Sequence, residues 1–130
     1  MPHHYNLPLT YTPKLTPVKT KQCRQTIRLG NKKKVGDYVR FFTWAGRPYH
    51  SRWVWVLEEY QELTEVIDIK IYPTGFKGKV MFHPWDSTLA NLLAHQDFIS
   101  PPTGIELGKV LMGKNKIPDE GVVGQILRWG

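Results

Sequence analysis

C-R-Q-T-I-R-L-G-N-K-K-K-V-G-D, residues Cys23–Asp37, is the stretch whose reading decides the rest of the chain. Gln25–Leu29 has the length and composition of a short strand. In that strand Ile27 and Leu29 face a core, while Thr26 and Arg28 face outward or into a cleft. Gly30–Lys34 is a basic turn with Lys32, Lys33 and Lys34 in a row, and Gly36-Asp37 turns the chain into the next strand. Arg24 and Arg28 lie close in sequence, so a partner is expected to touch here.

The segments on either side predict short strands. Tyr38–Thr43 is a strand with Val39 and Phe41 on one face, and Trp44–Tyr49 is a turn punctuated by Gly46 and Pro48. Arg47, Tyr49, His50 and Arg52 form a loop in which cations alternate with an aromatic, a mixture suited to base stacking and phosphate contact. Arg52–Tyr60 and Glu65–Tyr72 are predicted as two strands, with Ile67, Ile69 and Ile71 on the inner face of the second. Pro73-Thr74-Gly75 is a turn, and Lys79–Phe82 a further short strand. Asp86–His95 is a helix capped by Asp86 or Ser87, with Leu89, Leu92 and Leu93 as its core stripe. Thr103–Met112 is a second short helix, Gly113–Glu120 a polar loop and Val122–Trp129 the final strand.

Upstream, Tyr5–Thr12 is an edge strand or extended arm interrupted by Pro8 and closed by Pro13. Thr16-Pro17 then opens one or two helical turns, with Thr16 as N-cap and Pro17 at the first helical position. The expectation is one domain over residues 1–130, mainly β with short helices.

Charge separates the two parts of the chain. Residues 1–40 hold nine Lys/Arg (Lys14, Lys19, Lys21, Arg24, Arg28, Lys32, Lys33, Lys34 and Arg40) against Asp37 alone, whereas residues 41–130 hold nine against ten Asp/Glu. The whole net charge of +7 therefore stems from the first third. Such a localised excess is the footprint of phosphate contacts, although a basic run also serves as a solvated face. Cys23 is the only cysteine, which excludes an intramolecular disulfide and a cysteine zinc site and fits a reducing, cytoplasmic setting. The amino terminus lacks a signal-peptide pattern, and no uncharged apolar run nears the roughly 20 residues of a membrane span.

Several of these segments together resemble the ASCH domain family, a branch of the PUA-like β-barrels. The resemblance rests on R-Q-T-I-R at Arg24–Arg28 followed by K-V-G-D-Y-V-R-F at Lys34–Phe41. It continues through Gly46–Tyr49, Ala94–Phe98 and Gly124–Trp129, and so covers most of residues 20–130. It implies a small barrel with a cleft suited to RNA or a modified nucleoside, and an amidohydrolase in one bacterial branch. On that reading Arg24, Arg28, Lys32, Lys33, Lys34 and Arg40 contact phosphates. Tyr49 and Trp44 offer a stacking surface, and Gln25 or Thr26 reads a base.

In the branch that hydrolyses N4-acetylcytidine, a threonine of the T-I-R motif is the nucleophile, activated by a lysine three residues earlier and assisted by an acid in the later helix. Thr26 matches the threonine and Asp97 the acid, but position 23 is Cys23, and Lys21 lies two residues further back. A threonine hydroxyl is a weak nucleophile without a neighbouring base, so binding is expected ahead of catalysis. A module for an acidic protein partner is the third reading.

Other chemistry finds little support. The histidines at 3, 4, 50, 83 and 95 show no ligand spacing, and no metal or cofactor motif is present. Cys23 beside Lys21 and Arg24 has the electrostatics of an activated thiolate but no sequence-adjacent histidine, and a lone cysteine is more often a small buried residue. Asp37 after Gly36 is expected to accept backbone N–H bonds in a turn.

Overall fold

One long strand, β4 (Trp53–Tyr72), connects the two parts of the sheet in the computed structural model, which describes residues 2–47 and 51–130. Its first half pairs antiparallel with β3 (Tyr38–Trp44), from Trp44↔Trp53 to Tyr38↔Glu62. Its second half pairs antiparallel with β7 (Val122–Trp129), from Leu63↔Trp129 to Ile71↔Val122. Beyond β3 lies β1 (His4–Pro8), which is parallel to it, and beyond β7 lies β2 (Gln25–Leu29), which is antiparallel. The far end of β4 turns through Pro73 and Thr74 into β5 (Gly75–Lys77), which pairs in turn with β6 (Phe82–Pro84).

The fold is thus α+β, a mixed seven-stranded sheet with three helices. Among the described residues no ladder closes this sheet on itself. The bounds of β2 and β7 are those the sequence predicts, but the two strands expected over 52–72 are one. Gln61-Glu62-Leu63-Thr64 contains no glycine or proline to break it. The strand instead shifts register between Leu63 and Glu65, where it exchanges β3 for β7 as its partner. Leu63 anchors that point: its side chain is fully buried, its N–H donates to Asp37 O (2.8 Å), and its carbonyl accepts from Gly36 N (2.9 Å).

The lysine turn is bracketed by Gly30 (φ +101°) and Gly36 (φ +94°), left-handed conformations that favour glycine. Asp37 closes it as expected, accepting backbone N–H bonds from Lys34 (2.9 Å) and His3 (3.1 Å). Burial alone would raise the Asp37 carboxyl, yet these bonds and the charges of His3 and Lys34 hold it below its usual range.

Two apolar clusters flank the sheet. One gathers Ile69, Ile71 and Ile126 with Trp85 and the helices α2 (Thr88–Gln96) and α3 (Gly104–Lys114). Ser87 and Thr103 cap these helices by accepting from Ala90 N and Glu106 N, each at 3.2 Å. The other cluster gathers Val39, Phe41, Leu57, Leu63, Leu127 and Trp129 with Val18 of α1 (Leu15–Lys19).

Several local expectations are corrected. The first strand is shorter than Tyr5–Thr12, because Thr12-Pro13 is itself a helix-start signal and opens a 3-10 turn, Thr12–Lys14, that runs into α1. Thr16 and Pro17 therefore lie inside α1 rather than at its start. Leu29 is exposed at the end of β2, and the expected strand over 79–82 lies instead at β6. On α2 the core stripe is Ala90, Leu93 and Ala94, with Leu89 and Leu92 exposed. Close approach explains the choice: a Cβ at Gly104 of α3 would strike Ala90, so small residues line the helix contact. Replacing Leu63 with Ala is expected to lower unfolding stability by about 2–5 kcal/mol, measured by urea denaturation; a change near zero would remove Leu63 as the anchor of the partner exchange.

Candidate functional site

Beside β2 lies a cavity of about 380 Å³, lined on one side by Thr26 and Arg28 and on another by residues 8–11, Lys14 and Asp97. Ile99, Leu107, Val110 and Leu111 supply apolar wall, Asn115 a polar edge and Trp44 a ring. That size falls within the range of small-molecule sites, which combine apolar walls with a few fixed polar groups. Alternation places Thr26 and Arg28 on the same side of β2, and Arg28 Nε donates to Thr26 Oγ1 (3.3 Å).

The cavity contains a buried ion pair. Lys14 Nζ lies 2.8 Å from Asp97 Oδ1, with only 4% and 7% of the two side chains exposed. Asp97 is the C-cap of α2, and Lys14 ends the 3-10 turn of the N-terminal arm, so the pair ties segments 83 residues apart. Gln25 extends it: its Nε2 donates to Leu93 O (3.3 Å) and Asp97 Oδ1 (3.5 Å), and its Oε1 accepts from Arg128 Nε (2.9 Å). Burial raises the Asp97 carboxyl above its usual value, although Lys14, Gln25 and Arg28 all pull it down. Burial likewise lowers Arg28 to about 10, against the opposing pull of Asp97, which leaves the guanidinium charged at neutral pH.

At the rim the basic turn leaves β2. Gln125 on β7 holds it by accepting from Lys33 N (3.2 Å) and donating to Lys33 O (2.9 Å), with a further bond to Asp68 Oδ1 (2.9 Å). Burial first, and then the charge of Arg28, hold the Lys33 ammonium below the usual lysine value. Lys32 and Lys34 are exposed. Partly buried cations that repel one another form a place where an anion would relieve the repulsion.

The predicted site residues separate into groups. Thr26, Arg28 and Asp97 meet at the cavity, with Lys32, Lys33 and Lys34 on the turn next to it. Gln25 is buried and engaged on Leu93, Asp97 and Arg128, so Thr26 alone of the two presents a group to the cavity. Arg24 is exposed, with Nε donating to Lys21 O (3.1 Å).

Lys21 forms a surface ion pair with Glu59 (3.5 Å) and is not among the cavity residues. Arg40 sits on another face of the sheet, 3.9 Å from the ring centre of Trp55. Arg47 and Arg52 are exposed on the loop joining β3 to β4, while Tyr49 lies outside the described residues. Arg28 forms no ion pair with Asp37 or Asp97 among the described residues.

Cys23 is fully buried, and burial pushes its thiol up rather than down, which counts against a reactive thiolate. Lys14 is the cavity residue that sequence reasoning missed. Its partner is remote, and the only local signal is the helix-start pattern Thr12-Pro13 just before it.

No group of three or more metal-ligating side chains occurs among the described residues. No helix there is long and apolar enough to cross a membrane. Comparison with protein-family models, curated proteins and solved structures finds no match to this chain.

Removing one member of the ion pair leaves a buried charge. Lys14→Met is expected to lower stability by about 3–5 kcal/mol at neutral pH. A raised folded-state carboxyl favours folding below its unfolded value and loses that contribution as pH rises through the folded value. The Lys14→Met deficit should therefore narrow as pH falls through the acid range and be smallest below about 3, where Asp97 is protonated in the unfolded state as well. Denaturant curves over that range test it, and a pH-independent deficit would contradict the coupling.

Proposed function

We propose that this chain is a nucleic-acid-binding domain of PUA-like, ASCH type that takes one extruded base or nucleoside, most simply of RNA, into the cavity beside β2. The observation that carries the reading is the juxtaposition of a nucleoside-sized cavity, with Thr26, Arg28 and the Lys14–Asp97 pair in its lining, and the lysine turn that follows Leu29 of that lining, where Lys33 is near enough to Arg28 for their charges to repel. Thr26 and Asn115 offer hydrogen bonds to a base edge, and Trp44 a ring at the wall. Arg28, Lys32, Lys33 and Lys34 supply the phosphate contacts. Seating a base requires unstacking, which costs least in a single strand or loop. The finer fold reading, a barrel, is supported by the way β4 serves β3 with one half and β7 with the other.

A second reading has one specific observation in its favour. Position 23 lacks the lysine that the resemblance implies, but Lys14 lines the same cavity as Thr26 and Asp97. That set fits hydrolysis of an N-acylated nucleoside with Thr26 as nucleophile. In the present arrangement, however, Lys14 is paired with Asp97, and the Thr26 oxygen accepts from Arg28, so no free base faces the hydroxyl. Binding is therefore the leading reading. Turnover of N4-acetylcytidine that is abolished by Thr26→Ala would reverse the order.

The test of the leading reading is fluorescence anisotropy with labelled single-stranded RNA, duplex RNA and duplex DNA at several salt concentrations. About four phosphate contacts to a single strand give a log–log salt slope of roughly −2.8, and Lys32/Lys33/Lys34→Ala should reduce its magnitude by about 2. Binding no tighter than to heparin would reject nucleic acid in favour of an acidic protein partner.

A further inference from the structure

The outer face of β1, β3 and the first half of β4 carries aromatic side chains that belong to neither apolar cluster. Phe42 stacks on Trp53 (3.9 Å between ring centres, 16° between planes), Trp44 and Trp55 meet Phe42 edge-on at 5.3 and 6.1 Å, and both also meet Trp53, at 6.1 and 5.9 Å. Arg40 continues the row, with its guanidinium 3.9 Å from the Trp55 ring centre and 4.6 Å from that of Tyr60, and Asn6 Oδ1 accepts from its Nε (2.8 Å). His4 stacked on Tyr38 (4.9 Å) ends it. From Tyr38 to Trp44 the row spans about 20 Å at the ordinary strand rise.

Burial of these rings is incomplete. Phe42 is covered by its neighbours, but Trp53 is 45% exposed and Tyr60 38%. Large rings normally go to a core, so a row of them left on an open sheet face needs a different account.

We propose that this face is a stacking platform for single-stranded nucleic acid, along which the strand continues from the cavity. The inference rests on the nucleic-acid reading above and adds a second contact surface to it. Continuity argues for that occupant: Trp44 lines the cavity and is also in ring contact with Phe42 and Trp53. Charge argues for it too. The exposed Arg47 and Arg52 flank the Trp44–Trp53 end, and Arg40 lies mid-row, while the acidic Glu62, bonded to the Tyr38 hydroxyl (3.2 Å), marks the far end. A strand leaving the cavity therefore meets cations and rings first. Sheet faces that present rings in this way stack two or three bases with little sequence preference, because every base offers a π-face.

The probes are a labelled oligoadenylate of about ten nucleotides, within the site size of comparable platforms, and AMP. Trp53→Ala should weaken the oligonucleotide roughly ten-fold or more and leave AMP unchanged, while Trp53→Phe should retain most of the affinity. Failure of the wild-type protein to bind either probe rejects the nucleic-acid reading and this inference with it. Wild-type binding that is lost in Lys32/Lys33/Lys34→Ala but unchanged in Trp53→Ala rejects the platform alone and leaves the face to a protein partner. Should Trp53→Ala unfold by uncovering Phe42, photocrosslinking of bromouridine-containing RNA to the wild-type protein decides. Adducts on the peptide holding Trp53 and Trp55 support the platform, and adducts confined to residues 26–34 overturn it.

Discussion

The site depends on the ion pair between Lys14 and Asp97. Two charges removed from water lose several kcal/mol of hydration each, and their attraction recovers it only where geometry and further hydrogen bonds are good. Here the pair is close, and Gln25 adds a bond to the same carboxylate oxygen. The result is a tie among the N-terminal arm, the end of α2 and strand β2, with Arg128 of β7 joined through Gln25. Apolar residues would hold those segments together at lower desolvation cost. A charged pair in that position gives the proposed base site a polar wall.

From that tie the arrangement builds outward in layers of rising exposure. Thr26 and Arg28 stand on the cavity side of β2, then come the half-buried Lys33 and the exposed Lys32 and Lys34. Each cation is placed by backbone constraints: the left-handed Gly30 and Gly36, the Asp37 carboxylate on Lys34 N, and Gln125 clamping Lys33 from both sides of its peptide. A turn fixed this way presents ammonium groups with little backbone freedom left to lose on binding, which favours affinity. The aromatic face of β1, β3 and β4 adjoins the same cavity through Trp44.

Much of this was legible in the chain, for reasons that differ by element. The strands β2 and β7 and the lysine turn are local patterns, and their bounds follow from alternation and glycine. The helix α2 is announced by a cap, of which the sequence offered Asp86 or Ser87 and the fold uses Ser87, and the second helix was expected over Thr103–Met112, close to α3. The continuity of β4 was missed although residues 61–64 hold no glycine or proline, because the polar residues on both sides of Leu63 leave no apolar alternation to carry the strand through the register shift. So was the buried face of α2, where Ala90 and Ala94 displaced two leucines to allow close packing with α3. Asp97 was found through the resemblance and Thr26 through its motif. Lys14 was counted only as charge, since nothing local tells a lysine that will be buried 83 residues from its partner from one left in solvent.

The most direct test of the central claim, that the cavity beside β2 receives a base, is an NMR titration of isotopically labelled protein with short single-stranded RNA. The account predicts that the largest amide shifts fall on Thr26–Leu29, Tyr11–Lys14 and the lysine turn together, because the Lys14–Asp97 tie makes those segments the walls of one cavity. Shifts restricted to the lysine turn, with Thr26 and Lys14 unmoved, would mean that phosphate is held at the rim and the cavity stays empty, which contradicts it.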